Sequence, residues 1–183
     1  MGSLVCQIAK NIYGCTVIGS CGGAEKGALI RDKFGCDYSI DYRTLSTAEE
    51  LQAKLKEVAP DGIDMYFENV GGFHFEAAFS SLRDHGRIAI CGLINSYNEK
   101  EIPAFPVKLG AMIYSAQRIE GFVSSPYLQG KKGTFHRDMA TWVKEGLINV
   151  EETFYDGIEQ WPLAFQSLFR GSAANKGKVV VRV

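Results

Sequence analysis

No hydrophobic run in this sequence approaches the roughly 18–20 consecutive apolar residues that a membrane helix needs. Net charge is nearly absent as well: 20 basic residues stand against 21 acidic ones, for a formal charge of −1. That balance gives no electrostatic reason to expect nucleic acid or an anionic membrane as partner, so any anionic ligand must be held by a local site. No basic segment followed by an apolar core opens the chain, which argues against a secretory signal and makes the cytoplasm the expected location. Cys6 stands where a myristoylation pattern wants Ser or Thr. The five cysteines (6, 15, 21, 36 and 91) are odd in number and contain no C-x-x-C, which supports neither a disulfide framework nor a zinc ribbon. Free thiols are the simpler account. His74, His85 and His136 show no ligand spacing, so no metal is expected.

What is present is alternation. The chain has 183 residues, 46% hydrophobic and 22% charged, enough for one packed domain. Leu4, Val5, Ile8 and Ile12 recur at helical spacing before Gly14. Short apolar runs at 15–20, 38–42, 63–67 and 86–91 predict strands, separated by predicted helices near 24–34, 47–57 and 75–82. This pace predicts βαβ units, hence an α/β fold with a doubly wound parallel sheet. After Gly92 the rhythm breaks into a long connection, 93–117, that contains Pro103 and Pro106. A strand at 118–123, a helix at 133–145, a short helix near 163–169, a Gly/Asn turn and a last strand at 178–183 complete the reading. The last strand follows a turn and is expected in a different sheet. We divide the chain into a nucleotide-binding part, 1–148, and a C-terminal segment, 149–183.

In open parallel sheets, ligands bind beyond the carboxyl ends of the strands. The candidates there are Ser20 to Gly23 with Lys26, then Tyr42 and Arg43, then Asn69 with Gly71-Gly72, then Cys91-Gly92 and the polar stretch to Tyr97, then Phe122 to Ser124. A fold of this kind that prefers NAD carries an acidic residue at the end of its second strand, where it meets the ribose 2′-hydroxyl. Here Ser20 holds that position, with Lys26, Tyr42 and Arg43 near it in sequence, a set that suits the 2′-phosphate of NADP(H). Each residue also has a plain alternative. Lys26 serves equally as a solvated first-turn lysine, Asn69 as a turn residue, Tyr97 as a packing residue and Cys91 as an apolar filler. The glycine-rich turn that holds a pyrophosphate belongs between a first strand and the first helix, and only Gly2 matches it, as its last glycine.

Five blocks, in order, carry a resemblance: Gly2 to Lys10, Asp61 to Gly72, Gly86 to Asn98, Ile119 to Phe122, and Asn175 to Val180. Over essentially the whole chain they resemble the zinc-free medium-chain dehydrogenase/reductase proteins, and within them the prostaglandin reductase and alkenal reductase group. The resemblance implies NADPH-dependent reduction of the carbon–carbon double bond of α,β-unsaturated ketones and aldehydes. It implies that Lys26 and Tyr42 contact the 2′-phosphate. Asn69, Cys91, Gly92, Leu93, Ile94, Asn95, Ser96, Tyr97, Phe122, Val123, Ser124 and Asn175 would line the rest of the cofactor, with Tyr97 also catalytic near the substrate carbonyl.

The resemblance further implies a Rossmann-like domain lacking its first strand, and a last strand that normally joins a catalytic domain not represented in the chain. On that basis the chain alone is expected to be inactive or only weakly active, with turnover of a simple enone very slow or undetectable. A non-catalytic nucleotide-binding or interaction module, and a quinone reductase, stay open as alternatives. Without a first strand, the strands at 15–20 and 63–67 keep unpaired edges, which invite self-association into a homo-oligomer. The last strand is a candidate to fill that slot.

Overall fold

The computed structural model describes every residue except 102, 103, 106, 130–132 and 170–174. Pro103, Pro106 and Gly171 of the expected Gly/Asn turn therefore lie outside the described residues. Two compact units form, one from Met1–Thr44 with Thr134–Val183 and one from Leu45–Gly133.

In the first unit, helix α1 (Gly2–Gln7) runs on through a π-helical turn at Ile8–Ile12, and Gly14 ends it in the left-handed region that glycine adopts without cost. Gln7, fully buried, fastens α1 to residue 149. Its amide nitrogen donates to the Ser3 and Asn149 carbonyls (3.1 and 3.0 Å), and its oxygen accepts from the Asn149 N–H (2.6 Å). Strand β1 (Ile18–Cys21) pairs in parallel with β2 (Tyr38–Asp41) across helix α2 (Ala24–Asp32). Val17, Phe34, Cys36 and Ile40 fill the core beneath them.

Helix α7 (Phe135–Lys144; α3 to α6 belong to the second unit) leads to β6 (Glu152–Asp156), helix α8 (Trp161–Phe169) and β7 (Lys178–Arg182). Strands β6 and β7 pair in parallel, with Phe154 opposite Val180. This corrects two expectations. Helix α8 lies between β6 and the last strand, so the two are joined by a crossover, and the last strand takes β6 as partner instead of filling a slot elsewhere; as expected, it stands in a different sheet from β1–β2. The short run Glu152-Thr153-Phe154-Tyr155-Asp156 alternates in burial but is charged at both ends, which hid β6 from a hydrophobicity reading. In the fold one of those end charges is used: Arg182 forks onto Asp156 (2.6 and 3.0 Å) and lies over the Phe154 ring.

The second unit begins with helix α3 (Ala48–Val58), entered through a reciprocal cap. The Glu50 N–H donates to the Thr47 hydroxyl and the Glu50 carboxylate accepts from the Thr47 N–H. Leu51 and Leu55 are its buried stripe, as their spacing predicts. Strands β3 (Ile63–Glu68), β4 (Leu82–Ile90) and β5 (Arg118–Gly121) form a parallel sheet in that order. Helix α4 (Phe73–Ser80) packs Phe75 and Phe79 against Leu82 and Ile88. Leu82, expected at the end of a helix, instead opens β4 opposite Ile63, and a register shift follows, with His85 at φ +62°. The connection after β4 holds helix α5 (Leu109–Tyr114), and α6 (Ser125–Gln129) follows β5. All strand pairs among the described residues are parallel, in keeping with the α/β reading. Among the described residues β1 has one strand partner, β2, and β3 has one, β4.

Candidate functional site

In the second unit, the chain leaving β3 and the chain leaving β4 are laced together by main-chain bonds. The N–H groups of Cys91 and Gly92 donate to the Glu68 carbonyl (2.9 and 3.2 Å), that of Ile94 to Asn69 (2.9 Å) and that of Asn95 to Val70 (3.0 Å). Leu93 then leads into a short 3-10 turn, Ile94–Ser96, whose Ser96 is buried. The turn brings Tyr97 back over the strand end. A Cβ built on Gly92 would stand 2.7 Å from the Tyr97 hydroxyl and 3.5 Å from the Asn69 side-chain oxygen. A hydroxyl and an amide oxygen thus both border the place a side chain would take at Gly92, while Tyr97 is largely exposed.

From β5, Phe122 donates its N–H to Ile90 (3.2 Å) and sets its ring edge-on to Phe67, with centroids 6.0 Å apart. Val123 is exposed, and the Ser124 carbonyl accepts from Tyr127 at the start of α6. Residues 69, 91–97 and 122–124 therefore lie together at the carboxyl ends of β3, β4 and β5.

Glu68, which sequence reasoning passed over, anchors this group. It is fully buried, and one carboxylate oxygen accepts from the Tyr66 hydroxyl (3.2 Å), the Val70 N–H and the Gly71 N–H (3.0 Å). The other oxygen has no partner among the described residues. Burial and the neighbouring carboxylate hold the Tyr66 phenol well above its ordinary range. The available signal was an acidic residue closing a strand directly after Tyr66 and Phe67, a placement that burial makes costly unless it is hydrogen-bonded.

In the first unit, β1 ends at Cys21 rather than Ser20, and Gly22-Gly23 turns the chain into α2. A Cβ on Gly22 would stand 2.7 Å from the Arg43 Nε and 3.0 Å from the Tyr42 hydroxyl, so both side chains lie across that turn. The Gly23 N–H (2.9 Å) and the Arg43 N–H (3.0 Å) donate to Asp41, and these bonds hold its carboxyl below the usual aspartate range. Burial and the Asp41 charge push the Cys21 thiol up.

Lys26, on the first turn of α2, shares the wall of a cavity of about 200 Å³ with Met1, Cys21, Phe34 and Asn175. Asn175 itself donates to the Ser167 hydroxyl (2.7 Å) and accepts from the Tyr155 hydroxyl (3.4 Å). Gly2 is the exposed first residue of α1. The expected residues thus fall into two sets, with Gly2, Lys26, Tyr42 and Asn175 in one unit and the rest in the other.

Residues 1–141 match the family model described as zinc-binding dehydrogenase. The chain belongs to that family. It is 37% identical over 182 residues to prostaglandin reductase 1 of Sus scrofa and 37% identical over 187 residues to the NADPH-dependent curcumin reductase of Escherichia coli (strain K12). Both alignments cover the entire chain but only 53% and 52% of the relatives, so the chain spans about half their length. CurA from Vibrio vulnificus, solved in complex with NADPH, superposes with a TM-score of 0.84 at 36% identity, again over the entire chain and 53% of that protein. The resemblance drawn from the five sequence blocks is borne out, and so is the Rossmann-like α/β fold. The family's name refers to zinc. Among the described residues no three His, Cys, Asp or Glu side chains gather to hold a metal, and no step below passes through one.

Proposed function

We propose that this chain supplies the NADP(H)-binding residues of an oxidoreductase that reduces the carbon–carbon double bond of α,β-unsaturated ketones and aldehydes. The observation that supports the reading is that the Tyr97 hydroxyl and the Asn69 side-chain oxygen both border the side-chain position of Gly92 at the strand ends. Relatives named for curcumin and for pulegone, the latter a reductase of Mentha piperita 37% identical over 183 residues, act on conjugated ketones, which supports this substrate class.

The residues fit the cofactor. Gly22 leaves room that a side chain would take from Tyr42 and Arg43, and Gly92 does the same for Tyr97. Lys26 and Tyr42 would take the 2′-phosphate. Asn69, Cys91 to Tyr97, Phe122 to Ser124, Asn175 and Gly2 would contact the remainder. When bound, NADPH supplies the hydride that the β-carbon receives. Tyr97 then donates a hydrogen bond to the carbonyl oxygen, where enolate charge develops, and a donor placed there lowers the barrier because it acts where the charge grows. The division at 148/149, a cytoplasmic location and a homo-oligomer formed through unpaired strand edges belong to the same reading. Light scattering tests the last of these, with a monodisperse monomer contradicting it.

Incubating the purified protein with 4-deuterated NADPH and a simple enone tests the chemistry. The expected product is the saturated ketone with deuterium on its β-carbon, formed more slowly by Tyr97→Phe. Deuterium on the carbinol carbon of an allylic alcohol, or turnover of quinones alone, would overturn the proposal.

A further inference from the structure

The cavity of about 200 Å³ beside Lys26 has a second lysine on its wall. Lys176, outside the residues assigned to the cofactor, lines it together with Lys26, Asn175 and Gly177, and among the described residues no carboxylate does. The two lysines come from opposite ends of the chain, Lys26 from the first turn of α2 and Lys176 from the segment entering β7. The backbone at Lys176 is fixed to β6. Its N–H donates to the Thr153 hydroxyl, and its carbonyl accepts from that hydroxyl, each at 2.9 Å. From that fixed point the side chain reaches α2, where its ammonium pairs with the Glu25 carboxylate at 2.7 Å.

As a fastening, this ion pair is poor. The Lys176 side chain is 40% exposed and that of Glu25 67%, and pairs so open to water contribute little to stability. Its effect on charge is larger. Two cations on the wall of one small cavity repel, and Glu25, next to Lys26 in sequence, offsets part of that charge from outside the cavity. The bond from Lys176 and its charge hold the Glu25 carboxyl below the usual glutamate range, and the Lys26 charge adds to this.

We propose that Lys176 is a further cofactor-binding residue, whose ammonium Glu25 holds until a phosphate of the dinucleotide takes its place. This role presupposes the NADP(H)-binding reading above. A phosphate group has acceptor oxygens enough for both lysines, whereas the Glu25 carboxylate engages Lys176 from outside the cavity. Lysine carries three donors on a flexible four-carbon stem, so the ammonium can turn from carboxylate to phosphate while the Thr153 bonds keep the backbone in place. Glu25 therefore competes with the cofactor for Lys176 and lowers its affinity.

Isothermal titration of the purified protein and its variants with NADPH and with NADH tests this. Lys176→Ala is expected to weaken binding about fivefold or more, and Lys176→Arg to keep most of it. Glu25→Gln is expected to tighten binding about two- to fivefold, and that gain to shrink by half or more in the Lys176→Ala background. The gain separates competition from fastening: if the pair merely tied α2 to the segment entering β7, Glu25→Gln would weaken binding or leave it unchanged. Effects confined to NADPH place the phosphate at the ribose 2′-position, and effects shared with NADH place it in the pyrophosphate. Unchanged affinity of Lys176→Ala for both nucleotides, no gain in Glu25→Gln, or the same gain with and without Lys176 would each overturn the proposal. A parent protein that binds both nucleotides equally would defeat only the 2′-phosphate reading of Lys26 and Tyr42, since the Lys176 effects are still read with NADH. No measurable binding of either nucleotide would overturn both.

Discussion

Replacing Glu68 with alanine removes the acceptor that holds the β3 exit loop. Its oxygen takes hydrogen bonds from the Val70 and Gly71 N–H groups and the Tyr66 hydroxyl, all within a buried setting. Orphaning a buried donor costs about 1–3 kcal/mol, so three donors, some rescued by water, amount to roughly 3–5 kcal/mol. Part is offset, because the substitution also removes a buried carboxylate whose second oxygen has no partner, a relief of about 1–2 kcal/mol. The expected net loss is about 2–3 kcal/mol. Glu68→Gln keeps one acceptor oxygen in place and is expected to stay within about 1 kcal/mol of the parent. Urea denaturation followed by far-ultraviolet circular dichroism reads both; tryptophan fluorescence is unsuitable because Trp142 and Trp161 both belong to the other unit. An alanine variant as stable as the parent would refute the reasoning. A glutamine variant as damaged as the alanine one would show that charge, not acceptor geometry, holds the loop.

Gly62→Ala is expected to cost about 2 kcal/mol or more by thermal denaturation, because Gly62 sits at φ +87° and the new Cβ would meet the Ser81 carbonyl oxygen at 2.7 Å. Gly92→Ala is expected to change stability by less than about 1 kcal/mol, since only the exposed end of Tyr97 must move, yet to slow enone reduction about tenfold by displacing the hydroxyl. The Asp37 carboxyl is held below its ordinary value of 3.8 by the Lys10 ammonium and then the Val17 N–H. Its stabilisation is thus fully present above that value and is lost as pH falls through the lower folded value. Urea titrations across the acid range are expected to show Asp37→Asn less stable than the parent at neutral pH, with the gap closing in acid.

Much of the fold was legible because burial forces periodicity. The stripe Leu51 and Leu55 and the apolar run ending at Ile90 each announce an element by spacing alone. Strand β6 was not legible, because its half-exposed alternation is diluted by Glu152 and by Asp156, and the use of Asp156 depends on Arg182 far along the chain. Leu82 was misplaced for a related reason: an apolar residue one step past a helix fits either period, and only its partner Ile63 decides. At the candidate site, strand ends named the right neighbourhoods, since carboxyl ends of parallel strands gather loops whatever their sequence. They could not name Glu68, whose role lies in donors two and three residues further on, nor show that Tyr97 folds back over Gly92.

The central claim, that these residues bind NADP(H) through a 2′-phosphate site around Lys26 and Tyr42, is tested most directly by isothermal titration of the purified protein with NADPH and with NADH. The account predicts NADPH to bind at least about tenfold more tightly, with Lys26→Ala removing most of that difference. Equal affinity for the two nucleotides, or tighter binding of NADH, would contradict it.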